Sequence, residues 1–205
     1  MKMKNALVGC PVHSHKGRSD DKLIEAIAGG NEDAMRTLYA RHHVRVYHFI
    51  VRLGFDSYSA EDIVSEVFLT VWRQAGSFEN RSQVSTWILS IARFKALTAL
   101  GRRRETQLDE ASTEMVADDS DTPEQTVLHT DRTAQLRKCI AQLSSDHREV
   151  IDLVYYHDKS VEELAKILHL PKNTVKTRMY YARRHLTRLL ATHGDFDHLV
   201  FAQAA

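Results

Sequence analysis

Residues 161–190 read VEELAKILHLPKNTVKTRMYYARRHLTRLL, two short helical patterns joined by a turn. In the first, Val161, Leu164, Ala165 and Leu168 recur at the spacing of one helix face, the stripe a helix needs to pack on a neighbour. Pro171 suits the start of the second, where its missing N–H costs no hydrogen bond. That second pattern carries Lys172, Lys176, Arg178, Arg183, Arg184 and Arg188, and no acid. Val175, Met179, Ala182, Leu186 and Leu189 fall on its other side as the stripe expected to be buried. A helix-turn-helix uses such a second helix in the DNA major groove, with its N-terminal residues on the base edges.

Working outward, the 205 residues suffice for one medium domain or two small ones. The formal net charge of +1 hides segregation. Glu105 to Asp131 holds nine acids and no Lys or Arg, whereas Arg93 to Arg104 holds five basic residues and no acid. Local fields rather than net charge govern phosphate binding. No apolar run approaches the roughly 20 residues needed to span a bilayer. The N-terminal apolar run is too short for a signal peptide, so the chain reads as cytoplasmic, with Cys10 and Cys139 as reduced thiols and no membrane insertion. Cys10, His13 and His15 offer three metal ligands without a fourth in reach, so neither metal nor cofactor is expected.

The periodicity predicts an all-α protein of two small helical domains joined by a flexible acidic linker. Residues 1–19 read as a flexible tail, 20–104 as a first helical domain, 105–125 as the linker, 126–192 as a helix-turn-helix domain, and 193–205 as a C-terminal tail. Within the first domain, Gly29-Gly30-Asn31 divides two helices and Gly54 closes the second. Ser59 reads as the N-cap of the next helix, with Asp62 three residues on as an N-terminal acid. Gly76 to Ser82 reads as a loop, and Ser85 or Thr86 as the start of a fourth helix. In the second domain Ser145 or Asp146 is the expected cap before Arg148.

AEDIVSEVFLTVW, the loop, STWILSIARFKALTALGRRR, the acidic linker and the helix-turn-helix, in this order, resemble a bacterial sigma factor of the sigma-70 superfamily. The closest pattern is that of the extracytoplasmic-function, or group IV, class, which keeps only regions sigma-2 and sigma-4. The resemblance covers about residues 20–190. It implies a promoter-specific initiation factor without catalytic activity, whose partners are bacterial core RNA polymerase, promoter DNA and an anti-sigma factor. It also implies that the protein recognises −35 and −10 elements and assists DNA melting.

Carried over residue by residue, the family's D-x-x-Q-E-x-F-x-x-x-W pattern falls on Asp62, Glu66, Phe68 and Trp72, implying core-polymerase binding, with Ser65 where Gln is usual. The loop residues Asn80, Arg81, Ser82 and Gln83, followed by Arg93, Lys95, Arg102, Arg103 and Arg104, are the implied −10 DNA contacts. The family's P-x-G-T-V-x-S-R is matched by residues 171–178, with Asn173 for Gly and Thr177 for Ser. Lys172, Thr174, Lys176, Thr177, Arg178, Tyr181, Arg183 and Arg184 are therefore the implied −35 contacts. Twelve histidines form no H-E-x-x-H spacing, and no phosphate loop or nucleophile elbow is present, which argues against an enzyme. A stand-alone helix-turn-helix regulator would explain residues 161–190 but not the helices before the linker.

Overall fold

The computed structural model describes residues 19–109 and 127–192, and the side chains of 19–103 and 134–192. The termini with Cys10, His13 and His15, and most of the predicted linker, lie outside these residues. Eight α-helices run through them: α1 (Asp20–Ala28), α2 (Glu32–Arg52), α3 (Ser57–Gln74), α4 (Val84–Asp109), α5 (Val127–Ala141), α6 (Ser145–Tyr155), α7 (Val161–Leu168) and α8 (Lys172–Thr192), with a short 3-10 turn at Ala75–Ser77.

Each boundary has a local cause. Gly30 takes φ +82°, and Asn31 caps α2 by accepting the Ala34 N–H at 2.9 Å. Gly54, at φ +100°, turns the chain out of α2. The cap of α3 is Asp56 rather than Ser59: its carboxylate accepts the Ser59 N–H at 2.9 Å and the Ser59 hydroxyl at 2.8 Å. An aspartate placed so soon after the glycine turn wins over a serine one turn later. Asp62 consequently sits in the second turn of α3, beyond the reach of the N-terminal dipole, and the local role expected for it disappears.

Helix α6 is capped by Ser144, one residue before the position expected, and α4 continues through Glu105 to Asp109. Helix α7 starts in a capping box, in which Ser160 Oγ accepts the Glu163 N–H and the Glu163 carboxylate accepts the Ser160 N–H. It stops at His169, whose φ of 53° supplies the left-handed residue that ends a helix. The turn through Leu170 and Pro171 then launches α8, with Pro171 O accepting the Val175 N–H.

The two predicted domains do not keep separate cores. Leu38, Phe49, Ile50, Val67, Val71 and Ile88 of the first half form one apolar cluster with Val150, Leu153, Leu164, Ile167, Leu168 and Val175 of the second. Helix α7 lies on α4, and α6 on α2. A smaller cluster of Cys139, Leu143, Ile151, Ala182, Leu186 and Leu190 holds α5 and α6 against α8, and burial pushes the Cys139 thiol up.

Candidate nucleic-acid interface

Helix α8 divides as its periodicity predicts. Val175, Ala182 and Leu186 are buried, Met179 and Leu189 half-buried, and Lys172, Lys176, Thr177, Tyr181 and Arg184 exposed, with Thr174 and Arg183 half-buried at the edge. No acid lies on the helix, yet two reach it from its neighbours. Lys172 pairs with Glu162 of α7 at 3.0 Å, and Arg178 with Asp146 of α6 at 2.9 Å. The Lys172 hydrogen bond holds the Glu162 carboxyl below its usual range, with the charge of Lys176 adding to the effect. Asp146 orients the Arg178 guanidinium toward the first turn of α6, a restraint sequence spacing does not show. Arg183 lies over the Tyr155 ring at 6.0 Å. A shallow cavity of about 450 Å³ opens beside this face, lined by His147, Tyr181, Arg184, His185 and Arg188. Sequence spacing does not bring His147 and His185 together; their rings come within 6.4 Å only where α6 crosses α8.

On the first half, Phe78 packs on Trp87 with ring centroids 4.9 Å apart and anchors the loop to the start of α4. Asn80 adopts φ 54° at the loop tip, a conformation that Asn tolerates better than most residues. Asn80, Arg81 and Gln83 are exposed and Ser82 half-buried, with Arg81 paired to Glu79. Of the basic residues on α4, Arg102 and Arg103 are exposed. Arg103 reaches Asp56 at 3.1 Å; the N–H and hydroxyl of Ser59, with Arg103 adding, hold that carboxyl down at about 2. Lys95 pairs with Glu66 at 3.2 Å. Arg104 continues the helix, but its side chain is outside the described set. Arg93 differs from its neighbours: its side chain is 17% exposed and its guanidinium is bound by Glu149 of α6, with Nε at 2.7 Å.

The face of α3 carries Asp62, Ser65, Glu66 and Leu69 to solvent in an unbroken stripe. Phe68 does not share it: at 3% exposure it lies in the core, edge-on to Tyr39 at 4.8 Å. Trp72 is half-buried against the same core. The polar members of that sequence pattern are thus on the surface, while its aromatic members hold the helix from beneath. Among the described residues no group of three or more His, Cys, Asp or Glu could hold a metal ion, and no helix is long and apolar enough to cross a membrane.

Fold and surface together define a two-module helical protein with a helix-turn-helix in its second module and separate basic surfaces on each. Comparison with known proteins gives this class its family. The model for sigma-70 region 2 matches residues 38–106 and that for sigma-70 region 4 matches residues 133–186. The RNA polymerase sigma-H factor of Pseudomonas aeruginosa is 28% identical over 180 residues, 83% of this chain and 93% of its own length. The ECF RNA polymerase sigma factor SigK of Mycobacterium ulcerans is 29% identical over 182 residues, 85% of this chain and 96% of its own. Two solved structures share the fold. CnrH, in complex with the cytosolic domain of CnrY, has a TM-score of 0.62 at 22% identity, covering 85% of this chain and 99% of its own. RpoE of Bartonella quintana, in complex with the anti-sigma factor NepR, has a TM-score of 0.65 at 24% identity, covering 76% and 96%. The chain belongs to the sigma-70 superfamily, as an extracytoplasmic-function (group IV) sigma factor. Its function is accordingly that of a non-catalytic transcription factor that binds core RNA polymerase and recognises promoters.

Proposed function

We propose that α8 reads the −35 element as duplex while the 80–83 loop and the basic side of α4 take the −10 element as separated strand, assisting DNA melting. The observation that carries this reading is the presence of two basic surfaces of different build in one chain. Helix α8 offers Lys172, Lys176, Thr177 and Arg184 exposed on a helix without acids, and a helix is the shape that enters a major groove. The other surface is a loop tip with exposed Asn80, Arg81 and Gln83 beside Arg102 and Arg103, suited to an unstacked base with its phosphates. The exposed Asp62–Glu66 stripe of α3 meets core polymerase through charge, with Phe68 and Trp72 supporting it from below.

An anti-sigma factor fits the same reading, since both solved relatives above were captured with a protein partner, one of them named as an anti-sigma factor. A stand-alone regulator would leave α3 and the loop without a task.

Run-off transcription on a library of randomised promoters, with bacterial core polymerase and with or without this protein, tests the proposal. Protein-dependent transcripts enriched in two motifs at −35 and −10 spacing are expected. Binding to a DNA motif without polymerase, and no added initiation, would sink it in favour of the regulator.

A further inference from the structure

The cavity between α8 and the first turn of α6 has a chemistry that base reading does not use. Tyr181, Arg184, His185 and Arg188 line it from α8 and His147 from α6, around a volume of about 450 Å³. The four α8 residues follow the i, i+3, i+4, i+7 spacing of one helix edge. The lining thus holds two guanidiniums, two imidazoles and a phenol, and no carboxylate. Elsewhere on the helix acids offset the cations: Glu162 takes Lys172 at 3.0 Å, and Asp146, next to His147 in sequence, takes Arg178 at 2.9 Å. Arg184 and Arg188 have no acidic partner among the described residues. Like charges four residues apart on a helix destabilise one another, and an anion between them relieves the repulsion. Across the cavity, Nδ1 of His147 is buried without a hydrogen-bond partner, and its ring meets His185 edge-on with centroids 6.4 Å apart.

Size and position narrow the anion. A volume of 450 Å³ falls in the range of small-molecule sites, about 300–1,000 Å³, and a lone phosphate would leave most of it empty. Arg184 and Arg188 supply two forks for phosphate groups. Tyr181 is 52% exposed, so its ring offers a face to a planar group. Arg188 follows Thr174 by about four helical turns, or about 21 Å along the axis. It therefore stands far from the N-terminal turns that reach base edges, whereas Tyr181 and Arg184 lie between the two regions.

We propose that this cavity binds a free nucleotide, with its phosphates on Arg184 and Arg188 and its base against Tyr181 and the imidazoles, and that the bound nucleotide excludes duplex from this edge of α8. The exclusion rests on the −35 role given above to Tyr181 and Arg184; the binding does not.

Adenosine diphosphate, pyrophosphate and adenosine, each titrated into the full chain without polymerase or DNA, are the probes, followed by calorimetry and amide chemical shifts. The diphosphate is expected to saturate one site and to move the amides of residues 145–147 and 181–188, with pyrophosphate weaker and adenosine weakest. Arg188→Ala, at an exposed position outside the duplex contacts, weakens the diphosphate about tenfold or more through the loss of a charge-assisted hydrogen bond. Lys176→Ala removes the same charge from the same helix and leaves nucleotide binding nearly unchanged. The diphosphate then competes with −35 duplex in the unaltered chain and no longer does so in Arg188→Ala. His147→Ala, on the facing helix, gives an independent loss if Arg188→Ala disturbs the helical signal.

Absence of a saturable shift at millimolar ligand would overturn the proposal. Equal losses in Arg188→Ala and Lys176→Ala would also overturn it, because a general basic face behaves in that way. A salt slope for duplex lowered by about 1 in Arg188→Ala, without nucleotide binding, would give the cavity to a backbone phosphate instead. Failure of nucleotide binding with promoter-dependent initiation intact removes this proposal alone. Failure of initiation with nucleotide binding intact removes the functional reading, and the exclusion that rests on it, but not the site.

Discussion

Asp62 and Phe68 lie in one sequence pattern and separate completely in their surroundings. Asp62→Ala, at an exposed position beyond the first helical turn, leaves stability within about 0.5 kcal/mol and weakens binding to core polymerase. Phe68→Ala opens the core beneath α3 and lowers stability by about 3–5 kcal/mol. Chemical denaturation paired with a core-polymerase pull-down distinguishes them; equal losses of stability would show that both are packing residues. On α8 the proposed reading separates Lys176 from Arg178 in the same way. Lys176→Ala weakens duplex binding for all sequences and lowers the salt slope by about 1, as expected of a phosphate contact. Arg178→Ala instead relaxes discrimination at one base pair by about 1–3 kcal/mol, seen by competition between the selected −35 element and its point variants. A uniform loss for Arg178→Ala would mean that its pairing with Asp146 keeps it from the base edges.

Among the elements, α7 depends most on chemistry outside its apolar stripe. It has only eight residues, fewer than a lone helix needs, and its start is fixed by the Ser160–Glu163 capping box. Ser160→Ala removes the cap at a cost of about 1 kcal/mol, to be read as a lower melting temperature with α8 still helical. Glu163 does double duty, because its other bonds run to Thr86 and Lys159. Burial opposes its ionisation, but the hydrogen bonds from Thr86 and from the Ser160 N–H and hydroxyl, with the charge of Lys159, outweigh it and hold the carboxyl down at about 2. The folded value is therefore depressed below the ordinary 4.5, so the stabilisation is fully present above 4.5 and is lost as pH falls toward 2. Protection factors of the amides across residues 85–88 and 160–166, taken relative to the intrinsic rate at each pH, accordingly fall through that window. Protection that stays constant down to the lower limit would remove Glu163 from the contact.

For the whole molecule, the shared apolar cluster sets the cooperativity. Leu164 and Ile167 are fully buried among residues that include Ile88 and Phe49 of the first half, so neither half can unfold without exposing part of the other. Heating is expected to give one transition, with α4 and α7 amides losing protection together. Arg52→Glu, which turns the bond between Arg52 and Asp152 into a repulsion, should divide it in two. A division already present in the unaltered chain would mean that the contact between modules contributes little to either.

The sequence by itself determined the all-helical class, the glycine breaks, the helix-turn-helix and the division of α8 into a buried stripe and a basic face. These follow from a period of 3.6 and from turn residues acting within a few positions of one another. Cap positions were legible only to within a few residues, since Asp56 and Ser59, or Ser144 and Ser145, compete at neighbouring sites. Tertiary structure alone decided which basic residues face solvent. Arg93 and Arg102 read alike as cations of one acid-free stretch, yet one is gripped by Glu149 and the other exposed. The partners that settle such matters lie far along the chain, Arg93 from Glu149 by 56 residues, Thr86 from Glu163 by 77 and Arg52 from Asp152 by 100. Periodicity carries no information over such separations. Only the packing of α6 and α7 on the first half brings those acids to their partners.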